Sequence, residues 1–187
     1  MKKIIFLFLA IVGIYVSGCK CKKGTDCPCD GDNCESELIT AVVLTFKDTA
    51  STDSLVFAFR DPDGDGANAP TQHDTIRLAS NKTYSVSAKI LNESVSPAQN
   101  LTEEIYAERN DHQFFYHFTN TNVIFSYKDE DTHTPPLPIG ILTQWKTGIA
   151  SIGSTQIVLK HQPNAEKTGT ESAGDTDVDV IFQTIVE

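Results

Sequence analysis

Apolar and polar residues alternate with a period of two along most of the chain. "TYSVSAKIL" places Tyr84, Val86, Ala88 and Ile90 on one face, with Ser85, Ser87 and Lys89 on the other. "NVIFSYK" groups Val123, Phe125 and Tyr127, and "DVDVIFQTIV" sets Val178, Val180 and Phe182 against Asp177 and Asp179. Such alternation predicts half-buried antiparallel strands. Further strands are predicted at 38–47, 55–60, 75–79, 113–118, 141–149 and 155–161. Turn residues separate most of them: Asp-Gly within 63–66, Asn81-Lys82, and Pro135-Pro136 with Pro138. One segment, "LTEEIYAER", predicts a short helix, with Asn100 as its cap and Glu103 and Glu104 in its first turn. Eight or nine strands and one helix predict an all-β fold, an antiparallel β-sandwich that is immunoglobulin-like in the loose sense. A lipocalin-like β-barrel is the alternative. No βαβ pattern appears, which argues against nucleotide-binding and two-lobed solute-binding folds.

The N-terminus breaks this pattern. Lys2 and Lys3 precede an apolar run of 13 residues, Ile4 to Val16. A spanning helix needs about 20 residues, so the run reads as the core of a secretory signal. Val16-Ser17-Gly18-Cys19 follows and resembles a bacterial lipobox, in which the cysteine thiol takes a diacylglyceryl group before cleavage. This resemblance implies a signal peptide over 1–18 and a membrane anchor at Cys19, with diacylglyceryl and palmitate-type chains. Each buried methylene adds about 0.8 kcal/mol to such an anchor. Lys20, Lys22 and Lys23 follow Cys19. Neither an aspartate retention signal nor an acidic export signal is present. The expected address is the bacterial cell envelope, at the outer membrane facing the periplasm.

Residues 19–35 carry the remaining cysteines, Cys21, Cys27, Cys29 and Cys34, within "CKKGTDCPCDGDNC". An oxidising envelope favours disulfides, and four cysteines allow three pairings. A thiolate metal site and free thiols are the other readings. The spacing lacks the paired hooks of a zinc knuckle. The segment has almost no apolar content and reads as a flexible tether.

Residues 36–187 form the predicted domain, with 10 Lys and Arg against 21 Asp and Glu, a net charge of −11. A surface this acidic repels nucleic acid and anionic membrane. Taken together, "LITAVVLTF", "FRDPDGDGANAP", "LNES", "LTEEIYAERNDHQFFY" and "LKHQP" resemble a family of small envelope lipoproteins from Bacteroidetes. The resemblance implies a secreted β-rich lipoprotein and carries over no catalytic residue. The cysteine-rich tether departs from the short acidic linker usual there.

Two places carry candidate chemistry. In "DPDGDG", Asp61, Asp63, Asp65 and Gly66 fall in the register of an EF-hand loop, but position 12 is Gln72 and no helix flanks it. The strict motif fails. A looser Ca2+ site with Asp74 closing the shell is predicted, with Kd of roughly 10⁻⁴ to 10⁻³ M; a solvated acidic turn is the competing reading. The second place is the histidines: His73, His112, His117, His133 and His161. Of these, His112 at a strand entrance, His117 on the face of Gln113 and Phe115, and His161 in the alternation of Ile157 and Leu159 are candidate ligand or metal residues, for zinc or copper. No two have the i, i+2 spacing that puts a chelating pair on one strand face; hydrogen-bonded structural histidines are the plainer alternative.

Other chemistry is thin. No G-x-S-x-G elbow, P-loop or H-E-x-x-H motif occurs, and Glu103 and Glu104 diverge by about 100° on a helix. Sequons at Asn81, Asn92 and Asn100 and short O-glycosylation-like triplets at Asp48, Asp53 and Asp74 are weak signals. No enzyme activity is expected. The sequence predicts a binding module for a small ligand, a metal ion or an envelope partner such as an outer-membrane transporter. A structural or interaction lipoprotein without a small-molecule ligand is the alternative.

Overall fold

The computed structural model describes residues 38–64 and 68–187. The signal peptide, Cys19 and the four tether cysteines lie outside the described residues, as does Asp65. Eleven strands and one helix follow in order: β1 (Ala41–Asp48), β2 (Ser54–Arg60), β3 (Gln72–His73), β4 (Ile76–Leu78), β5 (Thr83–Asn92), β6 (Gln99–Asn100), α1 (Thr102–Ala107), β7 (His112–Thr119), β8 (Val123–Tyr127), β9 (Leu142–Thr147), β10 (Ser151–His161) and β11 (Asp175–Val186). One sheet has the order β3-β2-β1-β5-β9-β8, with β6 paired to β5. The other has the order β4-β11-β10-β7. All pairings are antiparallel except β11 with β4. This is a β-sandwich. The lipocalin-like alternative is not realised, because the strands divide between two open sheets and no ladder joins them into a barrel.

The alternation read from sequence fills the core. Tyr84, Val86, Ala88 and Ile90 of β5 are buried, as are Val178, Val180 and Phe182 of β11. Trp145 is fully buried, its ring edge-on to Phe46 at 5.0 Å and to Phe118 at 4.8 Å. Its indole N–H donates to the Thr143 hydroxyl at 2.9 Å, which satisfies the one polar group of an otherwise apolar side chain.

A polar pair sits inside this core. The hydroxyls of Thr155 on β10 and Thr184 on β11 lie 2.8 Å apart and both residues are fully buried. Thr155→Val keeps the shape and removes one partner, so it is expected to cost about 1–3 kcal/mol. Adding Thr184→Val should return part of that loss, because neither hydroxyl is then stranded; urea unfolding of the four-member cycle reads both effects.

The helix differs from expectation at its start. Asn100 does not cap it: its backbone is extended and pairs with Leu91, and its Nδ2 donates to Glu103 Oε1 at 3.0 Å. Leu101 is the N-cap, without a side-chain cap bond. The sheet anchors the helix instead, since Leu101 N–H donates to Ile90 O and Ile90 N–H donates to Thr102 Oγ1. The strands β3 and β6 escape the periodicity because two residues are too few to show alternation.

Candidate metal centre

The chain leaves α1 through Glu108 and enters β7 at His112. Glu108 is the C-cap, and its carbonyl accepts the N–H groups of Asp111 at 2.8 Å and His112 at 3.2 Å. This tight turn brings a helix end and a strand start together, so Glu108 and His112 lie side by side. The antiparallel register of β7 and β10 then sets His112 directly opposite His161. The two imidazoles stack, centroids 4.5 Å apart and planes 6° from parallel.

Glu108, His112 and His161 each offer one donor atom, and the three donors lie within 4.8 Å of one another. Among the described residues this is the one group of three or more His, Cys, Asp or Glu side chains so arranged. Glu108 Oε2 approaches His112 Nδ1 at 3.8 Å, and Asp177 Oδ2 approaches His112 Nε2 at 3.9 Å. His112 is buried, Glu108 is exposed, and His161 is intermediate. Burial, with the neighbouring His161 ring, pushes the His112 pKa down to about 4 against the pull of the Glu108 carbonyl. The ring is therefore neutral at pH 7, the form that ligates metal. A tetrahedral Zn2+ with bonds of about 2.0–2.1 Å needs its donors roughly 3.3 Å apart. Side-chain rotation of the exposed Glu108 and the half-buried His161 is the movement required.

The surroundings fix this corner. Lys160 is buried and donates to Gly174 O at 2.8 Å and Thr176 Oγ1 at 2.9 Å, tying the start of β11 to the end of β10. Gly174 has φ +75°, and a Cβ there would meet His161 O at 2.1 Å. Behind the site, Lys167 and Asp131 form an ion pair of 2.8 Å with both side chains fully buried. Lys167 Nζ also donates to Arg109 O at 2.7 Å, the residue after Glu108.

The structure sorts the sequence candidates. His112 and His161 are brought together, although no spacing within one strand pairs them. His117 is not part of the cluster. It lies five positions beyond His112, an odd offset, so the strand alternation turns it to the opposite face, where its Nε2 meets Glu171 Oε2 at 2.6 Å. Sequence reasoning missed Glu108 and Asp177. Glu108 had a signal in its i, i+4 spacing from His112; Asp177 is placed by a strand irregularity with none.

The acidic loop brings two of its carboxylates together. Asp61 is buried and Asp63 is hydrogen-bonded to its side chain; that bond, with Asn68, holds the Asp63 carboxyl below the usual range. Asp74 Oδ2 accepts the Ala58 N–H and the Gln72 amide, both at 2.8 Å, and so fastens the chain beside β2.

Fold and cluster together define a β-sandwich with a candidate metal centre at one end of its smaller sheet. The chain matches no known protein family, no characterised protein and no solved structure.

Proposed function

We propose that the chain is a lipid-anchored envelope protein whose β-sandwich is a binding module for a divalent transition-metal ion such as Zn2+. The observation that carries this reading is the convergence of Glu108, His112 and His161. Two imidazoles and a carboxylate suit Zn2+, Co2+, Ni2+ and Cu2+, and the absence of thiolate from the set disfavours Cu+. Three protein donors leave a fourth position for water or for a donor from a partner, which suits an ion that is picked up and handed on.

Metal-linked stability tests it. Zn2+ at 100 times its Kd should add about 2.7 kcal/mol, which for a domain of this size raises Tm by roughly 5–10 °C. EDTA should reverse the rise and Mg2+ should not reproduce it. The thiols of Cys21, Cys27, Cys29 and Cys34 are alkylated first, so that only the domain is read. An unchanged melt would leave the structural or interaction lipoprotein as the better reading. A parallel Ca2+ series reads the loop of Asp61, Asp63 and Asp65, which has less support because Asp74 is committed elsewhere.

The envelope half of the proposal rests on the lipobox-like sequence ending at Cys19. Cys19→Ser should leave the precursor unacylated and uncleaved. Normal acyl labelling of that variant would remove the anchor.

A further inference from the structure

We infer that the outer face of the larger sheet is a docking surface for anionic phospholipid headgroups, which lays the anchored domain flat on its membrane. This rests on the lipid-anchor reading above and names which side of the domain meets the bilayer.

The face follows from register. In β5, Tyr84, Val86, Ala88 and Ile90 are buried in the core, so Thr83, Ser85, Ser87 and Lys89 turn outward. Residues directly opposite one another share a face. On the β1 side, Lys47 lies opposite Ser85 and Val43 opposite Lys89. On the β9 side, Lys146 lies opposite Thr83 and Leu142 opposite Ser87. One strand further out, Ile124 joins Lys146 and Val56 joins Thr45. Lys47, Lys89 and Lys146 are exposed, and none of them enters an ion pair among the described residues. Large apolar side chains stand in water among them: Val56 at 58% exposure, Leu142 at 46% and Ile124 at 75%.

The charge is segregated. The domain as a whole carries −11 and opposes contact with an anionic surface. Yet no outward position of β1, β2, β5, β8 or β9 is Asp or Glu. At the rim, Asp48 pairs with Lys82 at 2.9 Å, Glu93 pairs with Arg60 at 3.0 Å, and Asp129 accepts the N–H groups of Gly140 and Leu142 at 2.8 Å. The outer face of the smaller sheet is the reverse, with Asp179 on β11 and Glu171 beside His117. Lipid phosphate therefore attracts one side of the sandwich and repels the other.

The apolar side chains decide for a bilayer over a polyanion in solution. A soluble polyanion answers the lysines but offers nothing to Ile124, Leu142 and Val56, whereas the boundary between headgroups and acyl chains takes both. Residues 20–37 separate Cys19 from the first described residue and reach about 60 Å when extended. A tether of that length leaves the orientation open, and the face sets it. Three lysines, each favouring contact about fivefold, shift the docked population by roughly 100-fold.

The test uses the full chain, reconstituted with vesicles of phosphatidylcholine alone or of equal parts phosphatidylcholine and phosphatidylglycerol, floated on a density gradient and footprinted with hydroxyl radicals. On the phosphatidylglycerol vesicles, labelling of Val56, Ile124 and Leu142 should drop several-fold relative to phosphatidylcholine alone. Ile152 and Ile181, exposed on the outer face of the smaller sheet, should keep their rates. Salt at 1 M, which shortens the screening length to about 3 Å, should restore the labelling. Lys47→Glu, Lys89→Glu and Lys146→Glu together should do the same, with Ile152 and Ile181 reporting that the variant is folded. Equal labelling on both vesicles, protection of Ile152 and Ile181 as well, or equal protection from soluble dextran sulfate on phosphatidylcholine vesicles would overturn the docking face and leave the anchor standing. A wild-type chain that floats with neither vesicle would bring down the anchor and this inference with it.

Discussion

Lys167→Met is expected to cost the domain about 3–5 kcal/mol, the usual penalty for breaking a buried ion pair from one side. Both side chains of the Lys167–Asp131 pair are wholly shielded from solvent. Asp131 accepts four bonds: Lys167 Nζ, His133 Nδ1 and the N–H groups of His133 and Leu137, at 2.8 to 3.0 Å. Burial alone would raise its pKa; the Leu137 N–H, the Lys167 ammonium and His133 outweigh burial and hold the carboxyl below its ordinary range. Lys167 moves less favourably: burial pulls its pKa down further than Asp131 restores it. The carboxylate's full set of donors decides between the two, and the pair stays ionised at neutral pH. After Lys167→Met the carboxylate keeps its desolvation cost and loses its cation. Asp131→Asn combined with Lys167→Met should recover much of the loss, because no buried charge is then left alone. The pH dependence follows from the depressed carboxyl. Asp131 contributes its stability in full above its unfolded pKa of about 3.9 and withdraws it as pH falls toward the lower folded value. Urea midpoints between about pH 2 and pH 5 should therefore fall less steeply in the double variant than in the wild type.

The second large effect falls on ligand binding. His161→Ala should abolish the metal-dependent rise in Tm at a Zn2+ concentration that gives the wild type about 2.7 kcal/mol. The apo domain should change by only about 1 kcal/mol, since His161 lies half-buried at a strand end and makes a single ring stack. His117→Ala is the control. That residue pairs with Glu171 on the far face and should leave the Zn2+ response intact. Loss of the response in both variants would point to a fold effect and not to ligation.

The main strands were legible because their apolar residues alternate over five or more positions and the core uses that alternation directly. Tyr84 and Phe182 are buried where the pattern put them. The helix was legible but its cap was not, because the bond from Ile90 to Thr102 that anchors it comes from a strand residue twelve positions earlier. At the candidate site each histidine could be placed on its strand, yet their partnership could not be read. The pairing of His112 with His161 depends on the register of β7 against β10, which the 48 residues of intervening chain do not specify locally. Asp177 was harder still, since a period-two reading sends it to the outer face and nothing local places its carboxylate 3.9 Å from His112 Nε2.

Calorimetric titration of Zn2+ into the full chain, with its cysteine thiols alkylated, tests the central claim most directly. One ion per chain should bind the wild type, and the His112→Ala, His161→Ala double variant should show no saturable heat. Absence of binding by the wild type, or equal binding by the double variant, would contradict a metal centre at Glu108, His112 and His161.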